Sequence, residues 1–330
     1  MFELDSAETR FALETTRLAA GLVRRIQTEL VVESLTKQDS SPVTVADFCS
    51  QALVGWSLMR CFPDDLLVAE EDSSFLSDSS AGSTLAQIAR YVTPLTGDPD
   101  AGTVKKWIDY NRADGGERFW TLDPIDGTKG FLRGDQYVVA LSLLVQGQVQ
   151  IGALGCPNLV CGSIPEEGGD GTLLLGIRGK GSWRTALWGD SDFSPLKVTD
   201  ESNPVRARLL RSFEAGHTNL DQIDFFVETL GARPEPVRMD SQAKYALLAA
   251  GAGEIYLRLL SPSRLDYREK IWDQAAGSLI LEEAGGRISD LDGKKLDFSK
   301  GRRLEANRGV LATNNRLHEA ALLALREIGA

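Results

Sequence analysis

The sequence predicts two unlike halves: an α+β half with a largely antiparallel sheet over residues 1–200, then an α/β half over 201–330. Three observations carry this reading. Between 119 and 187, apolar runs follow one another across short glycine-containing turns, the pattern of hairpins. From 207 onward, strand-like runs alternate with helical ones. Between these stretches Asp190, Ser191, Asp192, Ser194 and Pro195 interrupt the apolar pattern, so the crossing between domains is expected near 195–205. A chain of 330 residues is long enough for two packed domains rather than one core.

Residues 6–31 read as an amphipathic helix, with Leu18, Leu22, Ile26 and Leu30 at every fourth position. Asp5 followed by Glu8 resembles a capping box at its start. Residues 36–42 are polar and turn-rich. A second helix is expected over about 44–61, with Thr44 and Asp47 facing the same way in its first turn. Pro63-Asp64-Asp65 is a turn, and 66–69 a short strand ending on three acids, Glu70, Glu71 and Asp72. Residues 73–104 are rich in Ser, Gly, Asp and Thr. They read as the most loop-like stretch, with one short helix near 84–91, and as a candidate flap over a site. Residues 119–122 read as a buried strand that stops at Asp123-Pro124-Ile125-Asp126-Gly127-Thr128. Pro124 cannot donate to a continuing ladder, and Gly127 admits a turn closed to other residues. Residues 137–145 and 149–155 form a hairpin across Gln146-Gly147, and strands follow at 172–177 and 182–187. In the second half, strands are expected at 207–213, 236–239, 255–260 and 309–313. Helices are expected at 219–230, from about 240 to Gly251, from Trp272 to Gly285-Gly286, and at 315–328.

Lys plus Arg number 36 against 47 acids, a formal charge of −11. That argues against nucleic-acid binding, which wants a basic face, but leaves room for a small anionic substrate bound by local cations. No signal peptide opens the chain and no apolar run reaches the ~18–20 residues of a membrane span. A soluble, cytoplasmic monomer acting on a small molecule is expected. Cys49, Cys61, Cys156 and Cys161 lack the paired spacing of a zinc site and read as reduced thiols. With His217 and His318 as the only two histidines, a histidine-based zinc or iron hydrolase is disfavoured.

Asp47, Glu70, Asp123, Asp126 and Asp273 stand at expected element ends. Two carboxylates facing one small volume repel unless a cation or a shared proton sits between them. Hard cations such as Mg²⁺ take oxygen ligands and often bridge to phosphate. Two of them ~3.5–4 Å apart can serve both the attacking and leaving oxygens of a phosphoryl transfer. Ser241 and Lys244 lie at an expected helix start, where free N–H groups favour an anion, and Arg258 and Lys270 add positive charge. Singly, each of these cations reads more readily as an ordinary solvated one; together, between two suspected metal ligands, they point to a phosphate.

Here the sequence acquires a resemblance. Asp123-Pro-Ile-Asp-Gly-Thr128, with Glu70-Glu71 upstream and Trp272-Asp273-Gln-Ala-Ala-Gly277 downstream, resembles the lithium-sensitive, magnesium-dependent phosphatases, which include inositol monophosphatases and fructose bisphosphatases. Residues 36–44 with Asp47, 127–134, 155–159, 240–245, 256–258 and 269–273 look like the 3′(2′),5′-bisphosphate nucleotidases. The resemblance spans roughly 35–313; it has no clear motif over 73–104 and is loose over 160–205. It implies a layered αβαβα sandwich of the inositol monophosphatase/fructose bisphosphatase type, in two domains with the metal site between them. It implies removal of the 3′-phosphate of 3′-phosphoadenosine 5′-phosphate, in sulfur metabolism, with two to three Mg²⁺ ions and inhibition by Li⁺. Glu70, Asp123 and the Ile125 carbonyl would hold one ion. Asp123, Asp126 and Asp273 would hold a second, and a third, looser one would lie near Glu70. Asp47 and Thr128 would orient and deprotonate the attacking water. Thr128, His217, Ser241, Lys244 and Arg258 would contact the nucleotide.

Three other readings stay open on sequence alone. The same site serves inositol polyphosphates in an inositol polyphosphate 1-phosphatase. Asp126-Gly127-Thr128 superficially resembles the motif of aspartyl-nucleophile phosphatases, although its first Asp lies three residues before the second. A non-catalytic sensor on a phosphatase scaffold is the third, since fold does not fix function.

Overall fold

The computed structural model describes residues 2–29, 35–36, 42–76, 81–189, 192–212, 220–261 and 263–330. The chain opens with α1 (Ala7–Glu29), whose cap is Ser6, not Asp5: its hydroxyl accepts from the Thr9 N–H at 3.3 Å. The expected stripe is also displaced. Leu18 is 42% exposed, and the packed face runs through Ala12, Thr15, Thr16, Ala19, Leu22, Val23 and Ile26, where small residues let α1 approach its neighbours closely. A two-residue ladder, β1 (Leu35–Thr36) with β2 (Pro42–Val43), precedes α2 (Val45–Cys61). Then come β3 (Leu66–Ala69), a 3₁₀ turn at Ser73–Leu76, α3 (Ala81–Thr96) and α4 (Ala101–Ile108).

The short helix expected near 84–91 is α3, longer at both ends, and α4 corrects the loop expected beyond it. Gly82, Pro94, Gly97 and Gly102 depress local helix propensity. Buried Leu85, Ile88, Val92, Val104 and Trp107 hold both helices in the same core as α2, and tertiary packing overrides propensity.

The centre of the chain builds one sheet. It runs β4 (Arg118–Asp126), α5 (Thr128–Arg133), β5 (Val138–Val145), β6 (Gln148–Cys156), the small hairpin β7 (Leu159–Val160) and β8 (Ile164–Pro165), β9 (Thr172–Ile177), β10 (Gly181–Ala186) and β11 (Ser194–Pro195). Strands β11-β10-β9-β6-β5-β4-β3 form a seven-stranded sheet, antiparallel throughout except between β3 and β4. In β5, every residue but Val145 is buried, so both faces of the sheet must be covered.

After a 3₁₀ turn at Pro204–Arg206 come β12 (Leu209–Arg211), α6 (Leu220–Leu230), β13 (Val237–Arg238), α7 (Ala243–Ala249), β14 (Ile255–Arg258), α8 (Ala275–Glu283), β15 (Arg287–Ser289), β16 (Val310–Thr313) and α9 (His318–Glu327). Their five-stranded sheet has the order β13-β12-β14-β16-β15. Strands β12, β13 and β14 are parallel, while β16 runs antiparallel to β14 and to β15. The three-residue β15 is too short to leave a period in the sequence, and was not expected.

The buried clusters define five layers. Helices α1 to α4 pack on the sheet face bearing Val139, Leu141, Leu143 and Leu175. Helices α7 and α8 lie between the opposite face (Val138, Ala140, Leu154, Leu174) and the small sheet (Leu210, Tyr256, Val310, Ala312). Helices α6 and α9 cover the small sheet's outer face through Ile223, Phe226, Leu322 and Leu325. This is the expected αβαβα sandwich. The middle layer is tight: a Cβ at Gly277 of α8 would come within 2.2 Å of the Tyr245 ring of α7. All four cysteines are free thiols, Cys49 and Cys156 buried, Cys61 and Cys161 exposed. Among the described residues no helix is long and apolar enough to cross a membrane.

Candidate active site

The strand expected to stop at Leu122 continues as β4 to Asp126, and that continuation aims the two aspartates. Side chains alternate along a strand, so residues three apart should face opposite sides. Asp123 lies opposite Ala140, whereas Asp126 lies opposite Val138, so three steps on β4 span two on β5. The extra residue is a β-bulge, the one place inside a sheet where Pro124 is tolerated. It turns both carboxylates to the face bearing Val138 and Ala140, toward α7 and α8. Within the bulge, Asp123 Oδ1 accepts from the Ile125 N–H at 3.1 Å, and the Thr128 hydroxyl donates to the Ile125 carbonyl at 3.2 Å. Gly127, at φ 90°, turns the chain into α5; a Cβ there would meet the Ser241 Cβ at 3.0 Å.

Glu70 arrives on the neighbouring strand. Ala69 pairs in parallel register with Leu122, so Glu70 and Asp123 are successive residues on adjacent strands. The Glu70 N–H donates to the Leu122 carbonyl at 3.3 Å. Asp47 comes from the first turn of α2 as half of a capping box with Thr44. Its Oδ2 accepts from both the Thr44 N–H and hydroxyl at 2.7 Å, while the Thr44 oxygen accepts from the N–H groups of Ala46 and Asp47. One turn on, Gln51 fixes the backbone of buried Glu71, accepting its N–H at 3.0 Å and donating to its carbonyl at 2.6 Å.

Asp273 precedes α8, in a segment that Gln242 holds on either side of it. The Gln242 N–H donates to Asp126 Oδ2 at 2.6 Å. Its side chain donates to the Trp272 carbonyl at 3.0 Å and accepts from the Gly277 N–H at 3.0 Å. One residue therefore ties Asp126 to the segment bearing Asp273.

The electrostatics follow from this burial and crowding. Burial, and then the carboxylates of Glu70, Asp126, Asp273 and Asp47, push Asp123 well above the usual carboxylate range. Burial does the same to Asp273; Arg258 opposes it, and Asp126, Glu269 and Glu70 add to it. Asp126 is raised less, because Lys244, the Gln242 N–H and Arg258 offset its burial. The donor set is all oxygen with surplus negative charge, which fits a hard divalent cation in kind and in sign. As the side chains stand, no group of three or more His, Cys, Asp or Glu among the described residues is placed to hold a metal ion. The five acids share one electrostatic neighbourhood without forming a closed cage.

The basic end is built differently. Arg258, at the end of β14, forms an ion pair with buried Glu269 at 2.9 Å. Glu269 Oε2 accepts from Gln274 at 3.2 Å, and Gln274 Oε1 accepts from the Tyr245 hydroxyl at 2.5 Å. Burial pulls the Arg258 guanidinium down, but Glu269, Tyr267, Tyr256 and Asp273 together outweigh it and keep Arg258 charged. Lys244, only 2% exposed, donates to Ser212 Oγ at 3.2 Å and the Met239 carbonyl at 3.0 Å, and lies 5.1 Å from the Tyr256 ring centre. Burial lowers it to about 8 despite Asp126 and Asp240. Ser241 precedes α7 in a left-handed conformation, φ 64°, its Oγ accepting from the Ala243 N–H at 3.2 Å. His217 lies outside the described residues.

Sequence reasoning missed Gln242 and Arg302. Gln242 stands between Ser241 and Lys244, and only its buried, doubly bonded side chain distinguishes it. Arg302 carries no local signal.

The sequence profile described as the inositol monophosphatase family matches residues 5–330. A 3′(2′),5′-bisphosphate nucleotidase of Oryza sativa is 42% identical over 98% of this chain and 94% of its own length. One of Schizosaccharomyces pombe is 39% identical over 96% and 94%. Among solved structures, inositol monophosphatase from Anabaena superposes with a TM-score of 0.63 at 22% identity, covering 96% of this chain and 94% of that one. The extragenic suppressor protein suhB of Bartonella henselae gives 0.67 at 17%, covering 98% and 99%, a likeness of fold. The layered sandwich, the acid-lined bulge and these matches agree: the chain belongs to the inositol monophosphatase family.

Proposed function

We propose that this enzyme is a 3′(2′),5′-bisphosphate nucleotidase that hydrolyses the 3′-phosphate of 3′-phosphoadenosine 5′-phosphate to AMP and phosphate, with a role in sulfur metabolism. The observation that carries the reading is a near-full-length likeness to nucleotidases at about 40% identity, on a chain that gathers an acidic and a basic group of residues. Glu70, Asp123, the Ile125 carbonyl, Asp126 and Asp273 would hold two to three Mg²⁺ ions, with Asp123 shared. When bound, Mg²⁺ supplies Lewis-acid neutralisation of charge on the transferring phosphoryl group and the departing ribose oxygen. Asp47 would accept the proton of the attacking water, its Oδ2 already fixed by Thr44. The Thr128 hydroxyl would orient that water from the start of α5. Lys244 and Arg258, with Ser241 and His217, would hold the nucleotide and its 5′-phosphate. The two domains, 1–200 and 201–330, would meet at the site, the first giving most acids and the second giving Asp273 and the cations.

The test is phosphate release from 3′-phosphoadenosine 5′-phosphate and from inositol 1,4-bisphosphate in parallel, with Mg²⁺, with and without millimolar Li⁺. Faster, Li⁺-inhibited turnover of the nucleotide is expected. Faster turnover of the inositol compound would replace this assignment with inositol polyphosphate 1-phosphatase.

A further inference from the structure

We infer that Arg302 is a positioning residue that sets the distance between Glu70 and Asp273. Three contacts place it there. Its Nη2 donates to the Ala69 carbonyl at 2.7 Å, one residue before Glu70. Its guanidinium lies 4.6 Å from the Trp272 ring centre, one residue before Asp273. Its own backbone is fixed to the segment that leads into Trp272. The Ile271 N–H donates to the Arg302 carbonyl at 3.1 Å, Leu304 N–H donates to the Glu269 carbonyl at 2.9 Å, and Lys270 pairs with Arg303 between them.

The geometry matters because Glu70 and Asp273 come from separate parts of the fold. Glu70 extends a strand of the seven-stranded sheet; Asp273 precedes α8, which packs between the sheets. Gln242 ties Asp273 to Asp126, but Arg302 makes the side-chain link from Ala69 to Trp272. A second guanidinium nitrogen, Nη1, is buried without a hydrogen-bond partner, with the Asp114 carboxylate 3.9 Å away. The Arg302 side chain is 22% exposed, so part of its charge reaches solvent, but a hydrophobic side chain would fill the same volume without an unpartnered nitrogen; the guanidinium is held for its place.

This inference rests on the metal reading of the acidic end, and the sign of the effect separates position from charge. Removing a cation beside Glu70 should tighten divalent metal binding if charge alone mattered. A misplaced ligand pair should weaken it, by about 10- to 100-fold for a residue that orients ligands. The experiment is Mn²⁺ titration followed by electron paramagnetic resonance on wild type, Arg302→Lys and Arg302→Met, with Tm measured on each protein without metal. Weaker Mn²⁺ binding in Arg302→Met is expected, with an intermediate loss in Arg302→Lys, which keeps the charge and loses the planar stack. The Mg²⁺ concentration for half-maximal turnover should rise in parallel, while KM for the nucleotide at saturating Mg²⁺ stays within about threefold. Unchanged or tighter Mn²⁺ binding in both variants would overturn the inference, even if Tm fell. If wild type itself bound no Mn²⁺, the metal reading would fail first and take this inference with it.

Discussion

The two ends of the candidate site solve opposite problems. At the acidic end, Asp123 is buried among Glu70, Asp126, Asp273 and Asp47 and is pushed well above the usual carboxylate range. At the basic end, Arg258 is buried beside an opposite charge, Glu269, 2.9 Å away, which is in turn held by Gln274, itself held by Tyr245. The first arrangement carries surplus negative charge that the chain leaves uncompensated; the second pairs its charge within the chain. Neutralising one carboxylate at each end should therefore move stability in opposite directions.

The largest effect is expected at Asp123. Asp123→Asn should lower turnover by about 10³-fold or more, the scale of removing a principal source of transition-state charge stabilisation. It should also raise the Tm of the metal-free protein, because four carboxylates lose a neighbour that repels them. A fall in that Tm would break the comparison. Glu269→Gln should do the reverse. Leaving Arg258 buried and unpaired costs about 3 kcal/mol, read as a lower Tm together with a raised nucleotide KM. An unchanged Tm would mean that Arg258 finds solvent or another partner.

Added metal sharpens the contrast. Mg²⁺ at 100 times its dissociation constant should stabilise wild type by about 2.7 kcal/mol, and Asp123→Asn by far less. Thermal melts with and without the ion decide this; equal shifts in the two proteins would place the ion elsewhere. The smallest effect is that of pH on the basic end. Lys244 is lowered to about 8, chiefly by burial. Its charge, and with it its hold on a nucleotide phosphate, is lost as pH rises through that value, so KM should rise about threefold between pH 7.5 and 8.5. The sign for stability is opposite. Between about 8 and the ordinary lysine value of 10.5 the unfolded chain keeps the proton and the folded one does not, so this group's contribution rises with pH. Lys244→Arg should flatten the KM profile; a profile that kept its inflection would assign it to another group.

Much of the acidic end was legible because charge is conspicuous where apolar residues are expected: Asp123 and Asp126 interrupt a strand, Glu70 ends one, and Asp273 precedes a helix. The bulge was not legible, since Pro124 inside an apolar run reads as a strand end. The ends of α3 and the whole of α4 were hidden for a related reason. Gly82, Pro94 and Gly97 argue locally for loop, and only the core shared with α2 reverses them. Arg302 lies 233 positions from the carbonyl it meets, a separation no local pattern encodes. Gln242 was overlooked beside more reactive neighbours, although its hydrogen bonds join two of the acids' segments.

The bulge in β4 makes this site a matter of counting as well as of chemistry. With the same three-residue spacing in strict alternation, one carboxylate would pass through the sheet, toward α2, away from its partner; the extra residue keeps both on one face. Substitutions at Pro124 or Ile125 can be graded, milder or harsher; a pairing that absorbed the bulge cannot. Descent within this fold is therefore expected to conserve the bulge, together with the spacing from Asp123 to Asp126, more strictly than the identity of the residues inside it.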